Sequence, residues 1–459
     1  MGTSLRIDRV SADDLMSLAT ERGTTPTQVG AVLFLDTNGR AGSATELDAT
    51  RVVEQLARRL PGVPRLRQRL VNVPFGCGRP IWVDDPGFDV SRHVRVVACP
   101  APGGEQAVLD LAAAMLVTPL PRSRALWAAT LVTEVGEHRA ALVIVFHHVL
   151  ADGVAGLAVL AGLVDGAGSG AGTPGAAGSG FPRPRASVRR LAVDAWARRL
   201  GSLKRMPALL RRLGDAAVEL RSVRWTRLRP TSLNAPTGPR RRFATVTVPL
   251  DGIRAAGRAQ GATVNDVVLT AIGGALHRLL ASRGEHEDRF IVSVPFSERR
   301  GATAGELGNR SGVIPIRVPG AGDPALRLRF VAQGTRRAKR SSPGATTALL
   351  GPFFRVLART GLFQWFVDRQ RLIHTFVSNL RGPEQRLSIF GCPVGAIVPL
   401  SAATGNVTVS FAVLSYAGSL TITLIADPDA CPDLAALRGL LAEELAGLAA
   451  LAALAAPAT

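Results

Sequence analysis

The sequence is poor in cysteine, and the four cysteines that it contains form no recognisable site. Cys77, Cys99, Cys392 and Cys431 are scattered along the chain, without a CxxC pair or the Cys/His spacing of a metal centre. This distribution predicts neither a zinc site nor a disulfide scaffold, and it is typical of reduced thiols in the cytoplasm. We therefore expect no bound metal and no disulfide.

Long apolar runs are also missing from the sequence. The N-terminus mixes charged and polar residues and lacks the apolar core of a secretory signal. The longest candidate for a membrane span, Leu445 to Ala456, falls short of the roughly 20 residues that a bilayer requires, and it suits an Ala-rich final helix better. We therefore expect a cytoplasmic protein that is peripherally associated with the inner membrane face or with lipid droplets.

Acidic residues are scarce relative to basic ones, which gives the chain a formal charge of +20. The excess is local, because the stretch from Arg183 to Arg242 holds 17 Lys and Arg residues and only 3 acids. A basic block of this size indicates an anionic partner, and the candidates are a nucleic acid, an anionic membrane or an acidic ligand.

Apolar residues recur through this basic block at steps of three to four, as in an amphipathic helix, with Pro207 breaking the pattern. They are Val193, Trp196, Leu200, Leu203, Leu210 and Leu213. Such a helix suits an anionic membrane or lipid-droplet surface. The alternative is a connecting helix whose apolar stripe packs on a domain. Nucleic acid is not expected, because the aromatic residues are few and no reader motif is present.

The most informative stretch is VIVFHHVLADG, from Val143 to Gly153. The apolar run from Ala141 to Phe146 predicts a buried strand that ends in His147 and His148. Asp152 then has the chemistry to cap an apolar helix from Val154 to Val164. A lone histidine at a strand end is more often structural than catalytic, and neighbouring strand residues point to opposite faces, so at most one of the pair faces a given cleft.

The chain is long enough for two domains of about 200 residues each. Both halves alternate predicted helices and strands, which indicates a mixed α/β fold. The predicted elements include a β-hairpin of Leu126 to Val135 with Arg139 to Phe146, a helix from Thr263 to Leu280 that Thr263 caps, and helices over 105–116, 349–367 and 433–454. A Gly/Ala/Ser-rich segment from Asp165 to Gly180 separates them as a flexible linker. We predict a first lobe over 1–165, a linker and basic crossover helix over 166–240, and a second lobe over 241–459, with a cleft or tunnel between the lobes.

The pattern His-His, three residues, Asp-Gly resembles the active-site motif of one acyltransferase superfamily. This superfamily includes chloramphenicol acetyltransferase, the nonribosomal peptide condensation domains and the bacterial wax ester synthase/diacylglycerol acyltransferases. Further segments, in the expected order, resemble the last of these branches. They are PLPRSRALW (Pro119 to Trp127), TVNDVVLTA (Thr263 to Ala271), VPFSERR (Val294 to Arg300), LGNRSGVIPI (Leu307 to Ile316), SNLRGP (Ser378 to Pro383) and LSYAGSLTITLIADPDACPD (Leu414 to Asp433).

Four positions depart from that family's usual pattern. Pro121, Ala125 and Ala128 replace an Asp, a Pro and an acid around the PLPRSRALW segment, and Arg381 replaces a Pro in SNLRGP. None of them touches the histidine motif, so they bear on substrate choice rather than on the chemistry.

The resemblance implies two lobes similar to chloramphenicol acetyltransferase, with the active site in a tunnel between them. It implies an O-acyltransferase that uses acyl-CoA as co-substrate, without a bound cofactor, and esterifies a long-chain alcohol or a diacylglycerol. Such a transfer needs the attacking hydroxyl deprotonated, and a neutral imidazole is the natural base. His148 is assigned that role. No GxSxG elbow is present to supply a serine nucleophile, so we expect direct transfer without an acyl-enzyme.

The resemblance also suggests roles for the other motif residues. His147 on the opposite face would give support, Asp152 would hold the loop by an ion pair or a helix cap, and Gly153 would leave room for substrate. Asn265, beside Asp266, would orient the second lobe or donate to the developing oxyanion, unless it is only a polar residue in the first turn of its helix. Asp266 and Asn379 are further candidates for substrate or oxyanion binding, and for Asn379 a turn-forming role is the alternative.

Other functions fit the same motif. The acceptor hydroxyl could belong to a specialised metabolite, or the donor could be a carrier-protein thioester. A different class is a non-catalytic, membrane-adsorbed lipid-binding protein on the same fold. The sequence does not rank the acceptors or fix the oligomeric state.

Overall fold

The computed structural model describes residues 7–11, 14–15, 18, 21, 26–38, 49–150, 153–166, 180–204, 211, 229, 231–297, 311–340, 357, 360–401 and 405–455. Within these ranges, helices pack on two six-stranded sheets, and a short two-stranded ribbon accompanies the first of them. The strands are β1 (Gln28–Asp36), β2 (Gln68–Val71), β3 (Ile81–Asp84), β4 (Val94–Ala98), β5 (Trp127–Gly136), β6 (Arg139–His147), β7 (Arg242–Pro249), β8 (Arg289–Ser297), β9 (Ser311–Pro319), β10 (Thr375–Arg381), β11 (Ser388–Ile389), β12 (Cys392–Leu400), β13 (Val409–Tyr416) and β14 (Ser419–Ala426). The helices are α1 (Ala49–Arg59), α2 (Gly104–Val117), α3 (Gly153–Leu163), α4 (Val188–Lys204), α5 (Leu250–Ala259), α6 (Val264–Ser282), α7 (Pro324–Arg340), α8 (Phe363–Val367) and α9 (Leu434–Ala455).

The first sheet has the strand order β11-β12-β1-β6-β5-β4 and forms the base of the first lobe. Its β5–β6 hairpin is the one that the sequence predicts. From Ala140 to His147 every residue of β6 is buried, because the sheet is covered on both faces. Strand β1 runs antiparallel to β6, with Gln28 opposite His147. The histidine pair therefore lies beside the start of β1.

The second sheet has the order β7-β14-β13-β10-β8-β9 and forms the base of the second lobe. Strand β10 lies between β8 and β13 and is parallel to both. Thr263 caps helix α6 as predicted: its side chain accepts the backbone N–H of Asp266, and the Asp266 side chain accepts that of Thr263. This reciprocal capping box satisfies two donors that the helix start leaves open. The mixed α/β fold predicted from the sequence is confirmed.

One segment crosses from the second half of the chain into the first lobe. Strands β11 and β12 belong to the first sheet, where β12 pairs antiparallel with β1. The sequence-based boundary at residue 241 placed this segment in the second lobe. The alternation of a strand shows which residues are buried but does not show which sheet receives the strand, so this exchange was not predictable locally.

A shared hydrophobic core joins the two lobes. It unites residues of β1 and α2 in the first lobe with Phe243 of β7, Ala412 of β13 and Ile425 of β14. Two hydrogen bonds reinforce the contact between α2 and β7. Gln106 Nε2 donates to the Phe243 carbonyl at 3.2 Å, and Thr245 Oγ1 donates to Glu105 Oε1 at 3.1 Å. The lobes therefore pack directly against each other.

Some predicted elements differ from the structure or lie outside its described part. A single helix over 349–367 is wrong, because Gly361 has a φ of 77° and a separate helix, α8, follows it. Residues 167–179 of the predicted linker, and Leu210 and Leu213 of the predicted basic helix, fall outside the described ranges. Across the described residues, no helix combines the length and the apolar character that a membrane crossing needs.

Candidate active site

The histidine pair lies in a turn that backbone hydrogen bonds fix on both sides. His147 N donates to Leu126 O at 3.0 Å, and His148 N donates to Thr27 O at 2.9 Å. Leu150 N then donates to His147 O at 2.8 Å, which closes the turn. The end of β6 is thus anchored to the segments that lead into β5 and β1.

His147 is buried, with 2% of its surface exposed, and its ring contacts protein groups at both nitrogens. Nδ1 accepts the backbone N–H of Val149 at 2.9 Å, and Nε2 lies 2.5 Å from Glu21 Oε1. Because Nδ1 is an acceptor, the ring proton of the neutral imidazole sits on Nε2, facing the carboxylate. His147 therefore secures the turn that carries His148.

Glu21 links His147 to the segment that precedes β5. Its second carboxylate oxygen accepts a hydrogen bond from the guanidinium of Arg122. Burial alone raises the pKa of Glu21, but the contacts with His147 and Arg122 outweigh that effect and hold the pKa below its ordinary value. Glu21 is therefore an ionised partner at neutral pH.

His148 is half-buried and lines a cavity of about 340 Å³ between the lobes, which we call the histidine cavity. Apolar residues from both lobes and from the exchanged strand β12 form much of its wall. They are Val29, Ala31, Leu157, Leu160, Val313, Leu380, Ile397, Leu400 and Leu414. An imidazole therefore lies against a largely apolar space, where a hydroxyl-bearing lipid could be positioned.

Of the two remaining motif residues, the structure describes Gly153 only. Gly153 is the first residue of α3, the helix that carries Gly156, Leu157 and Leu160 to the wall of the histidine cavity. Asp152 lies outside the described residues. Its predicted role as an ion-pair partner or helix cap remains a prediction.

Two predicted residues from distant segments meet beside the same cavity. Asn379, on β10, donates from Nδ2 to Oδ1 of Asn265, in the first turn of α6, at 3.2 Å. Asn379 lines both the histidine cavity and a second cavity of about 530 Å³, and Asn265 lines the second. Asn379 Nδ2 carries two protons, and one of them is donated to Asn265. The amide therefore has a second proton with which to donate a hydrogen bond.

Asp266 occupies a structural position, and its predicted part in substrate binding needs correction. One carboxylate oxygen accepts from Thr263 N at 2.8 Å and from Thr263 Oγ1 at 2.7 Å. The other accepts from Thr335 Oγ1 at 2.7 Å. The side chain is 2% exposed and is used by the helix cap and by α7, so it does not reach either cavity.

Glu21 and Arg122 are the residues that sequence reasoning missed. Arg122 lies within the PLPRSRALW segment that was noticed for its resemblance, but Glu21 belongs to no motif. Glu21 and His147 are far apart in the sequence and meet only in the folded protein, so no local pattern predicts their contact. Two glycines are similarly hidden: Gly30 and Gly156 line the histidine cavity where a side chain would meet a neighbouring strand or ring.

Comparison with known proteins places this geometry in a family. The model of the wax ester synthase/diacylglycerol acyltransferase catalytic domain matches residues 10–268, and that of the WS/DGAT C-terminal domain matches residues 307–449. A probable diacylglycerol O-acyltransferase of Mycobacterium tuberculosis (strain ATCC 25618 / H37Rv) is 31% identical over 417 residues, covering 88% of this chain and 89% of that protein.

Solved structures show the same fold. A wax ester synthase/diacylglycerol acyltransferase from Marinobacter aquaeolei VT8 is similar with a TM-score of 0.69 and 22% identity, over 97% of this chain and all of that one. The starter condensation domain of rhizomide synthetase, in complex with C8-CoA and Leu-SNAC, is similar with a TM-score of 0.61 and 16% identity, over 97% and 94% of the two chains. The chain described here therefore belongs to the wax ester synthase/diacylglycerol acyltransferase family of O-acyltransferases.

Proposed function

We propose that this enzyme transfers a long-chain acyl group from acyl-CoA to a long-chain alcohol or a diacylglycerol, giving a wax ester or a triacylglycerol. His148 acts as the general base. The observation that carries the proposal is the different placement of the two histidines. His147 is buried against Glu21, whereas His148 lines an apolar cavity between the lobes.

The reaction follows from that placement. His148 removes the proton of the acceptor hydroxyl as its oxygen attacks the thioester carbonyl carbon. The carbonyl oxygen becomes an oxyanion, and the Asn379 amide, oriented by Asn265, donates a hydrogen bond to it. When the C–S bond breaks, the leaving thiolate takes the proton from His148. The imidazole is then neutral again, so no acyl-enzyme is needed.

Two further observations support these substrates. The apolar wall of the histidine cavity suits an acyl chain or an alcohol chain, because burying each CH₂ group contributes about 0.8 kcal/mol. A variant of the condensation domain of similar fold was solved in complex with C8-CoA, which supports an acyl-CoA as the donor.

The proposal is tested by incubating purified protein with palmitoyl-CoA and either hexadecanol or dipalmitoylglycerol, and separating the lipids by thin-layer chromatography. The wild type should form ester, and His148→Ala should lower the rate by about 10²- to 10⁴-fold. His286→Ala, which alters an exposed histidine in the second lobe, should retain the wild-type rate.

Three outcomes would contradict the proposal. Ester formation by His148→Ala at the wild-type rate would exclude the base, and a trapped acyl-protein would exclude direct transfer. Absence of product with every alcohol tried would favour the non-catalytic lipid-binding protein.

We also propose that helix α4 holds the enzyme to an anionic lipid surface. Val193, Trp196 and Leu200 recur at helical spacing and are exposed by 62%, 58% and 58% of their surfaces. The opposite face packs on the first lobe through buried Leu191 and Ala195. The exposed stripe therefore supports the membrane interpretation over the packed connecting helix.

Basic side chains beside this stripe complement anionic lipid. The Arg199 guanidinium lies 5.1 Å from the centre of the Trp196 ring, and Arg189 and Arg190 belong to the same helix. Arg9 and Asp194 secure α4 to the lobe with a 2.7 Å ion pair. Insertion of the apolar stripe into the lipid surface and attraction of the arginines to anionic headgroups then both favour binding.

Sedimentation with vesicles tests this attachment. The protein should bind vesicles rich in phosphatidylglycerol and release from them at high salt, with little binding to phosphatidylcholine. The double variant Trp196→Ser, Leu200→Ser should bind less, and Leu326→Ser, which alters an exposed leucine on α7, should bind as the wild type does. Binding that ignores salt and lipid charge would contradict the electrostatic part.

A further inference from the structure

The second cavity, of about 530 Å³, lies within the second lobe, and we call it the cationic cavity. Arg254 of α5, Lys339 of α7 and Arg381 of β10 line it. Every charged residue among its described lining residues is basic. Three cations from three separate elements line one space, where they repel one another unless an anion joins them.

The cationic cavity and the histidine cavity are neighbours. Pro295 and Asn379 line both, so the two spaces meet at these residues. The cationic cavity is also lined by apolar residues of α6, β8 and β9, together with Asn265. A ligand that spans both cavities would have an anionic end, an uncharged middle and a reactive group near Asn379 and His148.

Glu384 lies beside two of the cations. Its Oε1 accepts from Arg381 at 2.7 Å and lies 3.5 Å from the guanidinium of Arg254. Arg381 and Arg254 hold the pKa of this carboxyl below its ordinary value, mainly through the hydrogen bond from Arg381. Glu384 and Arg381 are both exposed, with side-chain exposures of 66% and 78%, so water screens the pair and it separates readily.

We propose that Arg254, Lys339 and Arg381 bind the phosphate groups of the acyl donor, and that Glu384 is the counter-ion that those phosphates displace. This inference rests on the proposed function, because it explains how the proposed acyltransferase selects its acyl donor. Guanidinium groups bind phosphate through two parallel hydrogen bonds, and several phosphate charges outcompete one carboxylate. The enzyme then favours donors that carry phosphate over thioesters that lack it.

Two classes of donor could present phosphate to this site. CoA carries three phosphate groups, and a carrier-bound phosphopantetheine carries one. Three donors with the same octanoyl group separate them: octanoyl-CoA, octanoyl-phosphopantetheine and octanoyl-N-acetylcysteamine, which has no phosphate. Arg254→Gln and Arg381→Gln should each raise KM for octanoyl-CoA about tenfold and leave kcat unchanged. The rise in KM should be smaller for octanoyl-phosphopantetheine, and KM for octanoyl-N-acetylcysteamine should not change.

Glu384→Gln provides a test in the opposite direction. Removal of the competing carboxylate should lower KM for octanoyl-CoA two- to fivefold and leave the phosphate-free donor unaffected. Arg438→Gln, which alters an exposed arginine on α9 away from the cavity, should behave as the wild type with all three donors.

Calorimetric titration with CoA itself tests the site without turnover. Arg254→Gln and Arg381→Gln should weaken CoA binding about tenfold, and dephospho-CoA should bind less tightly than CoA to the wild type. Equal changes in KM for all three donors, unchanged CoA affinity, or a higher KM for octanoyl-CoA in Glu384→Gln would each overturn the inference. Loss of turnover with every donor while CoA binding responds as expected would instead overturn the proposed function.

Discussion

His147 and His148 are adjacent in the sequence but have different surroundings, because successive strand residues point to opposite faces. The alternation alone predicted that one of them would face a cleft. The structure places His148 at the histidine cavity and His147 against Glu21. What the sequence could not supply is the partner, since a single carboxylate far from the motif carries no pattern.

Replacing Glu21 tests whether it positions the motif. In Glu21→Ala the His147 ring loses its contact at Nε2, so the turn that carries His148 is held less well. We expect kcat to fall by about 10- to 100-fold with KM little changed, because small displacements of a catalytic group have effects of that size. Glu21→Gln keeps an oxygen that accepts from Nε2 and should recover most of the activity.

The comparison that isolates this effect is Glu54→Ala, which removes an exposed carboxylate on α1. It should leave kcat unchanged. Equal losses in Glu21→Ala and Glu21→Gln, at unchanged thermal stability, would show that the hydrogen-bonded oxygen is not what matters.

His374 makes folding stability depend on pH. It is fully buried, accepts the Ile291 N–H at Nδ1, and burial lowers its pKa to about 4. Between pH 6.5 and 4 the unfolded chain binds a proton here that the folded chain does not, so stability falls as the pH falls. From pH 7 to pH 5 this group alone should remove about 2 kcal/mol from the free energy of unfolding.

Urea unfolding at the two pH values measures this loss. His374→Gln keeps an acceptor for the Ile291 N–H but does not titrate, so its stability should change less between pH 7 and pH 5. His286→Gln, at an exposed site, should follow the wild type. An equal pH dependence in all three proteins would show that His374 is not the source.

At the scale of elements, periodicity predicted most of the long segments. Helix α2 was expected over 105–116 and forms over Gly104–Val117, and α9 was expected over 433–454 and forms over Leu434–Ala455. Strand β4 was missed because it is short, lies at the sheet edge and exposes Arg95, so its apolar signal is weak. A local sequence pattern predicts a helix or strand when the buried residues of that element recur regularly along its whole length.

Gly30 of β1 shows what such patterns omit. A Cβ at this position would lie 2.1 Å from the Ile144 carbonyl oxygen of β6, which is backbone and cannot move aside alone. Gly30→Ala should therefore force β1 and β6 apart, lowering the free energy of unfolding by about 1–3 kcal/mol. Activity should fall as well, because β6 carries the histidine pair.

Urea unfolding and the ester assay measure both effects. The matched substitution is Gly62→Ala, where a Cβ would meet nothing within 4 Å. It should change stability by no more than about 0.5 kcal/mol. If Gly30→Ala proved as stable and as active as Gly62→Ala, the close approach of β1 and β6 would not constrain this position.

At the scale of the whole molecule, the two lobes interlock. The sequence predicted two lobes with a cleft between them, and both are required to enclose the histidine cavity. It could not predict that β11 and β12 return to the first sheet, because strand partners are chosen by packing across the whole fold. This exchange places Ile397 and Leu400 of β12 in the cavity wall, so the proposed active site depends on it.

Tyr416, the single tyrosine of the chain, fastens the exchanged segment to the second lobe. Its hydroxyl donates to Val394 O at 2.9 Å and accepts from Leu387 N at 2.8 Å. Tyr416→Phe leaves a buried carbonyl and an N–H without this partner, which should cost about 1–3 kcal/mol. Because the lobes share a core, scanning calorimetry should show one unfolding peak for the wild type and one at lower temperature for the variant. Phe75→Leu, at a fully exposed ring, should leave the peak in place. Two separate peaks in the wild type would mean that the lobes unfold independently, and the exchanged strand would then not couple them.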